Sequence, residues 1–79
     1  MISIEETLKE LSESIKREPN DCKLRLQRAI MYYKMSQLHN AYNDIAEVLR
    51  LEPDNSTALH YSKLLEMVMN FEYRENYNV

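Results

Sequence analysis

Residues 22–53 read CKLRLQRAIMYYKMSQLHNAYNDIAEVLRLEP. Pro53 closes this stretch, and Pro19 stands just before it, 34 residues upstream. Each proline ends a helical apolar pattern through a short polar tail, Ile15-Lys-Arg-Glu-Pro19 and Leu49-Arg-Leu-Glu-Pro53. A proline has no amide to continue a helix, and it biases the residue before it away from helical geometry. Side chains that cap helices follow each one, Asn20-Asp21 and Asp54-Asn55. Self-similarity at a fixed spacing of this length marks a structural repeat. The spacing predicts stacked helical hairpins, with one repeat length between the two stops.

Composition agrees. Seventy-nine residues make one domain at most. With 44% apolar residues and no glycine, the chain should be overwhelmingly helical. The lack of glycine also argues against a phosphate-cradling loop or a tight β-hairpin turn. Cys22 is the single cysteine, which rules out an internal disulfide and a multi-cysteine metal site. It suits a reducing compartment, so a cytoplasmic location is expected. The opening MISIEETLKE lacks the basic region and apolar run of a secretory signal. No apolar run approaches the roughly 18 residues of a membrane helix, so no membrane partner is expected.

Taken in order, the chain offers four helices. The first should cover 3–17, capped by Ser3 with Glu6 at capping-box spacing. Ile4, Leu8, Leu11 and Ile15 form one narrow apolar stripe on it. The second should cover about 22–35, with apolar residues on two faces around Ala29. A turn near Ser36–Leu38 is short enough to force an antiparallel pair. The third, about 39–51, should bury Ala41, Tyr42, Ile45, Val48 and Leu49, and Ala29 opposite Ala41 would let the two helices approach closely. The fourth should start after Asp54-Asn55-Ser56 and run to about 70. It is apolar around most of its circumference, whereas a helix ending a stack should show a polar outer face. One face can pack on the third helix, and the other, with Leu64, Met67, Val68 and Phe71, needs another cover. The expected division is a helical domain over 1–71 and a C-terminal tail over 72–79, whose Tyr73 and Tyr77 either fray with it or dock.

Charge is segregated. Residues 1–21 carry six acids and three bases, residues 22–43 four bases and no acid, and residues 44–79 seven acids and three bases. The net charges −3, +4 and −4 sum to the overall −3. A basic helix between acidic ones complements its neighbours, and it can also face an acidic partner.

The 22–53 stretch resembles the tetratricopeptide repeat. Arg28-Ala29, Tyr32, Ala41, Asp44, Leu49, Leu51 and Pro53 stand in that family's register without a gap. Departures are Arg25 where the family often has tryptophan, Ser36 where it has glycine and Val48 where it has alanine. One full repeat is covered, with partial matches on either side; the first helix matches the second helix of a preceding repeat. The resemblance implies an all-α fold of four antiparallel helices in a short right-handed superhelix. It implies that Arg28 and Asp44 pair across the hairpin as a structural contact. It also implies a concave groove lined by Lys23, Leu26, Ile30, Tyr33 and Lys34, then by Thr57, His60 and Leu64. The family's clamp for an acidic C-terminus uses lysine and asparagine where this chain has Leu26 and Ile30, so that mechanism is not expected.

The chemistry-bearing residues favour no reaction. His39 and His60 fit no metal-ligand spacing. Cys22 sits at a helix start, which can lower a thiol pKa, but has no evident base partner. Glu5, Glu6 and Glu10 read as a solvated face, since catalytic carboxylates need a cleft that separates their pKa values. Lys23, Arg25, Arg28 and Lys34 could suggest nucleic acid, but acidic overall charge and the absence of a recognised motif argue against it. No cofactor is expected. The expectation is a non-catalytic protein-protein interaction module, an adaptor or scaffold. It would take a protein or peptide partner in the groove, and Leu64, Met67, Val68 and Phe71 would serve a homodimer or docking on another protein. The alternative is an accessory subunit of a larger enzyme or multiprotein complex.

Overall fold

A computed structural model describes residues 2–77, with the side chains of residues 2–70. Among the described residues the fold is all-α, with helices α1 (Ile4–Arg17), α2 (Cys22–Lys34), α3 (Leu38–Leu51) and α4 (Ser56–Tyr77). They pack in chain order, α1 on α2, α2 on α3 and α3 on α4. Among the described residues no helix is long and apolar enough to cross a membrane.

The joints explain why the helices start and stop where they do. Ser3 Oγ accepts the Glu6 amide at 3.1 Å and opens α1. Asp21 Oδ1 accepts the Leu24 amide at 3.2 Å and opens α2. Asn55 Oδ1 does the same for the Ala58 amide at 2.9 Å and opens α4. Each satisfies one of the amides that a first turn leaves without a partner. The two proline joints have nearly the same shape. Glu18 stands at φ −131°, ψ 72° and Glu52 at φ −134°, ψ 83°. The Asp21 amide then donates to the Glu18 carbonyl at 3.1 Å, and the Asn55 amide to the Glu52 carbonyl at 3.0 Å. The 34-residue recurrence in the sequence is therefore also a recurrence of backbone geometry.

The α2–α3 turn works differently. The Gln37 amide reaches back to the Tyr32 carbonyl at 2.9 Å and the Ser36 amide to the Tyr33 carbonyl at 3.0 Å. This pair of bonds is a Schellman closure, whose residue after the cap sits in the left-handed region. That residue is Ser36, at φ 61°. A side chain there crowds the following carbonyl, a cost of about 1 kcal/mol that glycine escapes. Ser36→Gly is expected to raise stability by roughly 0.5–1 kcal/mol, a few degrees in a thermal melt for a domain of this size. An unchanged or lower Tm would show that the turn is not strained.

The core lies where α3 is sandwiched. Ala29, Ala41, Ile45, Val48, Ala58 and Leu65 are all at most 1% exposed and form one cluster with Cys22. Ala29 and Ala41 leave little bulk between α2 and α3, as their small size predicts. Along α1 burial rises from exposed Ile4 through half-buried Leu8 to buried Leu11 and Ile15, so the expected stripe is covered only in its C-terminal part. Tyr42 was expected inside and is 40% exposed instead. It stands about 100° around α3 from Ala41, outside the arc that Ala41, Ile45 and Val48 fill, and a tyrosine keeps its hydroxyl in water at little cost. Helix α4 also runs past the expected end near residue 70 to Tyr77. The apolar periodicity fades there, but no proline or glycine interrupts residues 71–77. The side chains of Phe71, Tyr73 and Tyr77 lie outside the described residues, so the roles expected of them are not addressed.

Candidate interaction surface

Arg28 and Asp44 meet as the register implies. Arg28 Nε donates to Asp44 Oδ2 and Nη2 to Oδ1, both at 2.7 Å. This two-pronged geometry is the strong form of an ion pair. The Asp44 side chain is only 4% exposed, against 19% for Arg28. Arg28 Nη1 also donates to Ser12 Oγ of α1 at 3.0 Å, and the guanidinium lies 5.9 Å from the Tyr32 ring centroid. Arg25 comes within 3.6 Å of the same carboxylate. The bond to Asp44 pushes the Arg28 guanidinium still further above its ordinary value. One arginine thus ties α1, α2 and α3 together. Sequence reading missed Ser12 and Arg25. Arg25 lies three residues from Arg28 on the same helix face, a spacing that could have suggested it.

Cys22 is buried. Burial pushes its thiol up from the ordinary value, and the neighbouring Glu52 carboxylate adds to the shift. This direction is opposite to the lowering considered for a helix start; the one lowering influence is the Arg25 charge, and loss of water outweighs it. A thiol held protonated is a poor nucleophile at neutral pH. Beside it Asp21, Lys23, Leu26, Glu52 and Asn55 line an open depression of about 390 Å³ where α2 and α4 begin. His39 and His60 are both exposed. Among the described residues no group of three or more histidine, cysteine, aspartate or glutamate side chains could hold a metal ion.

The expected groove residues divide into an edge and a floor. Lys23 and Lys34 are exposed along one edge of α2, while Leu26, Ile30 and Tyr33 are half-buried beside them. Tyr33 meets Tyr61 of α4 edge to face, with ring centroids 5.5 Å apart. His60 packs on Tyr61 in the same way, also at 5.5 Å. Tyr61 therefore marks the side of α4 that faces α2. Comparison with family models, with curated proteins and with solved structures finds no match. The surface must therefore be read from its own geometry.

That geometry links two groups of residues that the sequence reading joined only at Leu64. A residue seven places on in a helix returns almost to the same line, and one three places on lies roughly 60° away. Val68 thus follows Tyr61 along the α2-facing side, and Leu64 comes next around the helix. Met67 lies further round and is 69% exposed. Leu64 is half-buried and Val68 is 36% exposed. Leu64 and Val68 therefore continue the surface that begins at Lys23, Leu26, Ile30, Tyr33 and Lys34, with His60 and Met67 at its outer rim. The remaining arc of α4 carries Lys63, Glu66 and Asn70, all exposed, with Leu59 between Glu66 and Asn70 and also exposed. Seen this way, α4 does have a mostly polar outer side. The result is one amphipathic surface, with a basic edge on α2 and an apolar wall on α4.

Proposed function

We propose that this chain is a non-catalytic protein-protein interaction module of the tetratricopeptide type, a short right-handed helical stack acting as an adaptor or scaffold. The observation that carries the reading is the recurrence of joint geometry across 34 residues, at Glu18 and Glu52 and at Asp21 and Asn55. The Arg28–Asp44 tie and the paired alanines support the same register. The surface of α2 and α4 fits a protein segment that is apolar along one side and acidic along the other, held by buried anchors and a charged rim. A cytoplasmic setting suits a buried, protonated thiol. Self-association through α4 is part of the reading, because Met67, Val68 and Leu64 present a contiguous apolar wall.

Sedimentation equilibrium at micromolar concentration is expected to show a dimer. Leu64→Glu/Met67→Glu should convert it to a monomer with helicity retained, since Met67 is open to water and Leu64 only half-covered. A wild-type monomer would remove the self-association claim. Unfolding of the double variant would place those side chains in the chain's own core.

A further inference from the structure

Helix α1 stands apart from the core that holds the other three. Leu11 and Ile15 are buried, yet the cluster around Ile45, Val48 and Leu65 includes neither. The two sides of α2 divide in the same way. Leu26, Ala29 and Tyr33 face that cluster. Leu24 and Met31, both half-buried, lie roughly 140–180° around the helix from them. Arg28 stands next to Leu24 and Met31 on that far side and donates from Nη1 to Ser12 Oγ of α1 at 3.0 Å. This is therefore the side that α1 covers. Among the described residues it is the one side-chain hydrogen bond between α1 and another helix.

The charges at this contact do not balance. Arg25 and Arg28 share the single carboxylate of Asp44. Helix α1 offers them only a neutral hydroxyl, and Lys9 and Lys16 stand three and four residues from Ser12 on α1 itself. Asp44 is already engaged by Arg28 Nε and Nη2, which leaves Nη1 for α1.

We propose that α1 is a strap that opens as a unit while α2, α3 and α4 stay folded, and that Ser12 is its latch. Opening about the joint at Glu18–Asp21 uncovers Leu24, Met31 and the Nη1 edge of Arg28, an apolar and basic strip on the side of α2 turned away from α3. A negative charge at position 12 closes the strap, because an ion pair with a partly covered guanidinium is stronger than its bond to a hydroxyl. The device goes beyond the interaction reading and does not rest on self-association, which uses α4.

Amide hydrogen exchange on the full chain tests this, with rates corrected for each amide's intrinsic exchange. In the wild-type chain residues 11–17 are expected to exchange at one shared rate, about tenfold or more faster than the best protected amides of α2 and α3. Ser12→Asp is expected to slow residues 11–17 about threefold or more relative to Ser12→Asn, which has the same size and no charge. Exchange in α2 and α3 should be the same in both variants. One common rate for α1, α2 and α3 overturns the proposal, because α1 then opens only with the whole domain. So does a steady gradient of protection from Leu11 to Arg17, which is fraying from the helix end. Equal α1 exchange in the Asp and Asn variants removes the latch and overturns it as well.

Discussion

Asp44→Ala is expected to remove a large share of the domain's stability. The carboxylate is nearly inaccessible to water and holds Arg28 through two bonds of 2.7 Å. Removing it strands a mostly covered guanidinium beside Tyr32 and Ser12. Breaking a buried pair from one side costs about 3–5 kcal/mol. A chain of 79 residues has roughly 4–12 kcal/mol to lose. The thermal midpoint should fall by more than about 12 °C. The source of the loss can be separated from the loss itself. Arg28→Met/Asp44→Leu removes both charges, and it is expected to be markedly more stable than Asp44→Ala, because no charge is left unpaired. Denaturant melts of the two variants decide the matter. If Asp44→Ala costs under about 1 kcal/mol, water has replaced the carboxylate and the pair is not what ties the three helices.

That pair also shows how far the sequence could be read. Helix starts and stops were legible because their causes are local. A proline, an aspartate or an asparagine acts on amides two or three residues away, and Asp21 and Asn55 do so here. The Arg28–Asp44 contact spans 16 residues and was readable only through the family register. Ser12 was not readable at all, because its approach to Arg28 depends on how α1 lies across α2. The same limit hid the orientation of α4. A helix apolar on nearly every side gives no period from which to choose the buried face. The choice is made by α3, which takes Ala58 and Leu65 and turns Tyr61 toward Tyr33. Met67 and Val68 were then separated from the groove in the sequence reading, which joined only Leu64 to it, although the helix places them along its wall. The end of α4 was missed for a related reason. Loss of apolar periodicity after residue 70 removes packing information, but it is not a stop signal.

Leu65→Ala tests that orientation with the largest effect available on α4. Leu65 is fully buried against the cluster of Ile45, Val48, Ala41 and Ala58. Truncating such a side chain costs about 2–5 kcal/mol, part of it from the cavity left behind. In a linear stack each helix is held mainly by its neighbours. Helix α4 packs on α3, with the Tyr33–Tyr61 contact joining it to α2. The loss should therefore appear first as local opening. Amide hydrogen exchange is expected to accelerate across residues 58–69, while α2 and α3 keep their protection until the global melt. Met67→Ala, two residues further along, is the control, measured below the concentration at which the chain associates. Its side chain is 69% exposed, and an exposed substitution away from special contacts usually changes stability by less than about 0.5 kcal/mol. The contrast between these near neighbours carries the argument. If the two variants lose equal stability, α4 is rotated from the position described, and the apolar wall assigned to the groove is instead part of the core.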